Sequence, residues 1–155
     1  MTRDLSRLLR PRSIAIVGGG AWCDAVISQL LKSDYGGAIW PVHPKGGEVR
    51  KISVYKALSD LPNAPDAAFI GINRLATIDT VNALAAMGAG GAGGFASGFA
   101  EVADGQTLNT QLLAAAGDMP ILGPNCYGMI NNLDGALLWP DQHGCTPVTN
   151  GVAIL

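Results

Sequence analysis

The stretch SIAIVGGGAWCDAV, residues 13–26, decides the fold class. Its first five residues are mostly β-branched and read as a buried strand ending at Gly18. Three glycines, Gly18 to Gly20, then lead into a helical pattern in which Trp22, Val26 and Leu30 share one face, with Leu31 beside it. A strand that empties through glycines into a helix leaves the first N–H groups of that helix unsatisfied. The positive end of the helix dipole lies at the same turn, so the turn suits a phosphate.

The same alternation continues on both sides. Leu5, Leu8 and Leu9 predict a short amphipathic helix over 4–10, stopped by Pro11. After the first long helix, expected to end near Lys32, residues 38–42 (AIWPV) predict a second strand, which Pro41 keeps short or near a sheet end. Residues 54–61 predict a brief helix, and Pro62 and Pro65 mark the loop after it. Residues 66–72 predict a third strand, followed by a helix over 75–87 with Leu75, Ile78, Val81 (or Asn82), Leu84 and Met87 on or near one side. The glycine-rich residues 89–97 are the only place for the next strand; a helix over 104–118 and a short strand over 119–123 follow. Strands alternating with helices at this pitch imply parallel βαβ units with right-handed crossovers. The expected fold is α/β: a Rossmann-like, doubly wound, mainly parallel sheet with helices on both faces.

Residues 1–12 are expected to form a helical arm and residues 13–132 the nucleotide-binding domain. Residues 133–155 read as an irregular linker ending on GVAIL, a strand that has only just begun, as at the start of a further domain in a longer polypeptide.

Composition narrows the function. The 155 residues suffice for one buried domain, 48% of them are apolar, and no run approaches the roughly 20 apolar residues of a membrane helix. The charged N-terminus has no signal-peptide core, and Cys23, Cys126 and Cys145 follow no metal spacing, so a reduced, cytoplasmic setting is expected. All ten lysines and arginines fall at or before Arg74 beside six acids, and only six acids follow. That is too little basic surface for a nucleic acid and fits a small phosphorylated ligand bound by the first half.

On the dinucleotide fingerprint, Gly18 and Gly20 take the first two glycine positions and Cys23 the third. An NAD site would place an acid at the end of the second strand. That end reads WPVHPKGG (40–47), offering His43 and Lys45, with Glu48 the first acid. A cation there fits a ribose carrying a phosphate: the 2′-phosphate of NADP or the 3′-phosphate of coenzyme A. The residues alone leave both open, along with a tight turn that holds no ligand and a Lys45 that is plain surface.

Five segments in order, LLRPRSIAIVG (8–18), GGAIWPVHPK (36–45), YKALSDLPNAPDAAFIGI (55–72), GFAE (98–101) and above all ILGPNCYGMIN (121–131), carry a resemblance. They are similar to the coenzyme A-binding domain of the NDP-forming acyl-CoA synthetases, which include ADP-forming acetyl-CoA synthetase and are related to the α subunit of succinyl-CoA synthetase. The resemblance covers residues 8–132 and implies that a flavodoxin-like domain follows. It places the coenzyme A phosphate turn at Gly18, Gly19, Gly20, Ala21 and Cys23, a basic contact at Lys45, and further contacts at Asn73 and Arg74 and at Ser97 and Gly98. Asn125 and Cys126 fall where the pantetheine thiol end is expected; an inert buried Cys126 is the other reading. Cys23 stands where the family has a glycine, and Ser97 is displaced by one from the family's serine. Asp24, in the first turn of the phosphate-greeting helix, suits the dipole but opposes a phosphate.

The family couples acyl-CoA, phosphate and a nucleoside diphosphate to free acid, coenzyme A and nucleoside triphosphate, through an acyl phosphate and a phosphorylated histidine on other domains. The implied role here is to anchor coenzyme A or acyl-CoA and aim its thiol, with the remaining ligase domains as partners, and no membrane or nucleic acid. His43 and His143, the only histidines, stand in no triad, metal or paired-carboxylate pattern. Two other functions stay open: a regulatory coenzyme A-binding domain, as in protein acetyltransferases and stand-alone binding proteins, and an NADP-binding oxidoreductase fragment.

Overall fold

The computed structural model of the chain describes residues 3–97, 99 and 105–152. A short helix α1 (Ser6–Leu9) precedes strand β1 (Ser13–Gly18), helix α2 (Ala21–Lys32) and strand β2 (Ala38–Val42). A small hairpin of β3 (Glu48–Val49) and β4 (Ile52–Ser53) comes next, followed by β5 (Ala67–Gly71), α3 (Arg74–Met87) and β6 (Ala92–Gly94). Helix α4 (Gly105–Ala116), β7 (Ile121–Leu122), β8 (Ile130–Asn131) and β9 (Ala136–Leu137) complete the described elements.

Five strands form one parallel sheet in the order β2-β1-β5-β6-β7. This is the doubly wound α/β fold that the sequence implies. The chain leaves β1 toward β2 on one side and later adds β5 on the other, so a crevice opens at the carboxyl ends of β1 and β5. Gly18 and Gly71 are directly paired at that point.

Alternation along β1 divides the core. Ile14 and Ile16 face α2 with Val26, Ile27, Leu30 and Phe69, while Ala15 and Val17 face the layer of α3 and α4 with Ile70, Val81, Leu84 and Leu112. The arm is part of this body, because Leu8 is fully buried in the α2-side core.

Several local expectations differ from the structure. Trp22 is 46% exposed, its ring set against Phe95, and Cys23 takes its place on the core face of α2 beside Gly71 of β5. Leu75 is 63% exposed, and α3 buries Thr77, Val81 and Leu84 instead. The helix predicted over 54–61 contracts to one 3₁₀ turn, Leu58–Asp60. Before it lies the unforeseen β3–β4 hairpin, whose turn residues Arg50 and Lys51 both have positive φ, +48° and +67°. Such a two-residue turn is usually signalled by Asn-Gly, and Arg-Lys carries no such signal.

The stretch after Asn132 is not irregular throughout. β8 and β9 pair antiparallel, and Ala136, Leu137 and Leu138 enter the α2-side core almost without exposure. Asn131 donates its Nδ2–H to the Leu9 carbonyl at 2.9 Å, which ties this hairpin to the arm. Residues 153–155 of the expected terminal strand lie outside the described residues, and Gly151 and Val152 form no strand.

Candidate functional site

The turn from β1 to α2 is shaped by close approach of backbones. Gly18 has φ +123°, and a Cβ there would lie 2.6 Å from the Gly71 carbonyl oxygen. A Cβ on Gly19 would meet the His43 ring at 2.9 Å. Gly20, at φ +80°, is the N-cap of α2; it offers no side-chain cap and faces open space. The amino end of α2 is therefore left to an outside acceptor. The amino end of α3 shows the contrast, since Asn73 Oδ1 accepts from the Ala76 N–H at 3.0 Å and closes it.

Gly18, Gly19, Gly20, Cys23 and Lys45 line one cavity of about 400 Å³, together with Asp24 and His43. The cavity lies between the start of α2 and the loop after β2. His43 Nδ1 accepts from the Lys45 N–H at 3.2 Å, which fixes the loop that carries the lysine. A cradle in which Gly18 and Gly19 admit no Cβ, opposite a lysine, fits a phosphorylated nucleotide.

Cys23 closes the back of the cradle. Its thiol donates to the Val17 carbonyl at 3.8 Å, and burial pushes its pKa up to about 11. A Cβ on Gly71 would lie 2.8 Å from the Cys23 sulfur. The glycine missing from the fingerprint is thus compensated on the neighbouring strand, where Gly71 gives the room that a glycine at 23 would have given.

Asp24 does not stand alone. Arg50, at the tip of the β3–β4 hairpin, donates from Nε to Asp24 Oδ1 and from Nη2 to Oδ2, both at 2.8 Å. The Arg50 hydrogen bonds hold the Asp24 carboxyl below its ordinary pKa, against an opposing effect of burial and with help from the Arg50 charge. Sequence reasoning missed Arg50, since a pairing across 26 residues through an unforeseen hairpin leaves no local signal.

The other candidates lie outside the residues lining this cavity. Ala21 opens α2 at its exposed amino end. Asn73 caps α3 and Arg74 begins it, while Ser97 is exposed beyond β6. Gly98 lies outside the described residues, as does Glu101 of the same motif. The Asn125–Cys126 corner is fastened to the end of β6: Cys126 N–H donates to the Gly94 carbonyl at 3.1 Å, and Asn125 bridges to Phe95. A Cβ on Gly94 would lie 2.7 Å from the Pro124 carbonyl oxygen, so glycine in β6 lets the corner dock. Burial raises the Cys126 pKa, and a hydrogen bond from the Gly128 backbone opposes it only in part. Beside this corner runs a line of rings, Trp22 to Phe95 at 4.9 Å, Phe95 to Tyr127 at 5.6 Å and Tyr127 to Trp139 at 5.1 Å between centroids.

Fold and cradle together define the class of nucleotide-binding α/β domains, with the candidate cradle at the carboxyl edge of the sheet. The family model described as CoA binding domain matches residues 12–132, and the chain belongs to that family. Coenzyme A is therefore the answer to the choice of phosphorylated nucleotide that the sequence left open. The chain is similar to trans-feruloyl-CoA synthase FCS1 of an unknown prokaryotic organism, 35% identical over 139 residues, covering 85% of this chain and 20% of that protein. It is also similar to the α subunit of acetate–CoA ligase [ADP-forming] I of Pyrococcus furiosus, 31% identical, covering 82% of this chain and 30% of the relative. Among solved structures it resembles the apo form of dinucleotide forming acetyl-coenzyme A synthetase 1 of Ca. Korarchaeum cryptofilum. That likeness has TM-score 0.75 and 29% identity over 81% of this chain and 28% of the other. The chain thus spans 20% to 30% of the length of the two curated relatives. No helix among the described residues is long and apolar enough to cross a membrane.

Proposed function

We propose that this chain anchors coenzyme A for an NDP-forming acyl-CoA ligase and directs its thiol toward an acyl phosphate made on other domains. The observation that carries this reading is the uncapped amino end of α2 at Gly18–Gly20, facing Lys45 across one cavity. In this reading the α2 turn takes the diphosphate and Lys45 takes the 3′-phosphate. The pantetheine arm then runs along the carboxyl edge past Asn73, Arg74, Ser97 and Gly98 toward Asn125 and Cys126. The contribution to catalysis is positioning, which converts attack by a free thiol into attack by a held one. Cys126 is a contact and not a nucleophile, since burial favours its protonated form. The three free cysteines support a reducing, cytoplasmic setting for the ligase.

Titration calorimetry of the 155-residue chain with coenzyme A and with NADPH tests this. Saturable heat with coenzyme A and none with NADPH is expected. Folded protein that gives no heat with millimolar coenzyme A would overturn the proposal.

A further inference from the structure

We propose that Arg50 is a phosphate-binding residue of this site and that Asp24 is the positioning residue that holds it there. The inference rests on the coenzyme A reading above. Asp24 lines the cradle, in the first turn of the same helix whose amino end is open. Alone, that carboxylate would repel a diphosphate at the place where the backbone attracts one. Arg50 removes the conflict by forking onto both carboxylate oxygens at 2.8 Å. The pair is neutral, so the cradle keeps the helix dipole and Lys45 as its net attraction for an anion.

The guanidinium is more than a neutraliser. A fork onto Asp24 uses two of its five N–H donors, and no other hydrogen bond from Arg50 is present among the described residues. The side chain is 41% exposed, and although Arg50 does not itself line the cavity, the carboxylate it grips, Asp24, and its neighbour Val49 both do. The hairpin that carries Arg50 is itself cavity wall, since Val49 and Val54 on either side of the turn line the same space. Arg50 also occupies a left-handed turn position, φ +48°, which asparagine or glycine would adopt more easily. The Asp24 fork gives this strained placement a partner on α2. Because Asp24 belongs to the α2 turn and not to the Lys45 loop, the phosphate read by Arg50 is the diphosphate, with Lys45 left for the 3′-phosphate. A short glycine loop thereby gains from the hairpin a cation that the loop itself lacks.

The test is calorimetry of the wild-type chain and the R50A, D24A and D24A/R50A variants with coenzyme A and with dephospho-coenzyme A. Melting curves by circular dichroism serve as the folding control for these half-exposed positions. R50A removes a cation and strands a carboxylate, so it is expected to weaken both ligands at least about tenfold and to the same extent. D24A is expected to cost less than R50A, and the double variant to regain several-fold of the R50A loss, because the stranded charge is gone. Three results would overturn the inference: R50A binding coenzyme A within twofold of wild type, a double variant no tighter than R50A, or a loss seen with coenzyme A but absent with dephospho-coenzyme A. Wild-type protein that binds neither ligand would instead overturn the coenzyme A reading beneath it.

Discussion

Arg7 Nε lies 2.6 Å from Asp66 Oδ1, a link across 59 residues between the N-terminal arm and the start of β5. The other carboxylate oxygen of Asp66 accepts from the Arg12 N–H at 2.8 Å, and Arg7 Nη1 reaches the Gly88 carbonyl, the C-cap of α3, at 2.7 Å. The Asp66 carboxylate thus fixes where the arm ends and β1 begins, and its partner Arg7 also reaches the end of α3. The arm is held in place by polar geometry as well as by the burial of Leu8.

Asp66→Asn is expected to lower stability by about 1.5–3 kcal/mol, the range for hydrogen bonds to a charged group. Burial alone would raise the Asp66 pKa, but the hydrogen bonds from Arg7 and Arg12 and their charges outweigh it and hold the carboxyl below its ordinary value. A folded-state pKa below the unfolded one gives stability that is complete above about pH 4 and drains away as pH falls through the folded value. Urea melts from pH 7 to pH 2 should show this loss in wild type and a shallower one in Asp66→Asn. Equal pH dependence in both proteins would refute the assignment.

Gly18→Ala places a Cβ 2.6 Å from a backbone carbonyl at φ +123°, so nothing flexible can yield. A loss of at least about 2 kcal/mol is expected in denaturant melts. Gly36→Ala, which meets nothing within 4 Å, is the control and should stay within about 0.5 kcal/mol of wild type.

Lys45→Ala should weaken coenzyme A about tenfold and leave dephospho-coenzyme A nearly unchanged, since only the former carries the 3′-phosphate. Calorimetry with the two ligands measures the ratio. An equal loss for both would reassign the lysine to the diphosphate.

Thiol labelling should rank the three cysteines. Cys145 is exposed and reacts first, while Cys126 is partly buried with a raised pKa and reacts slowly. Cys23, with its pKa pushed up to about 11, has roughly one thiolate per thousand at pH 8 and lies buried, so it reacts only on unfolding. Mass spectrometry of protein labelled at pH 8 gives the order. Slower labelling of Cys126 in saturating coenzyme A is expected if the thiol end lies beside it.

Local pattern carried most of the architecture. The strand–glycine–helix punctuation at 13–26, and its repeats ending at Leu122, are short-range signals that each element satisfies by itself, so the five parallel strands were legible. Gly18, Gly19, Gly20, Cys23 and Lys45 meet in one cavity because the fold class dictates that the first and second strand ends are neighbours. Trp22 and Leu75 misled because helical periodicity fixes spacing but not which flank of the stripe meets the sheet. The β3–β4 turn escaped because Arg50 and Lys51 adopt left-handed backbone that their side chains do not advertise.

By itself, then, the sequence determined the α/β order and that the glycine turn after β1 and the lysine loop after β2 would be neighbours, since these follow from residues adjacent in the chain or from the rule of parallel connection. Only the tertiary structure decided that Gly71 makes room for Cys23 and that Arg50 takes up the charge of Asp24. Both are compensations between residues distant in sequence. A side chain's cost depends on what the fold brings against it, and no local pattern records that neighbour.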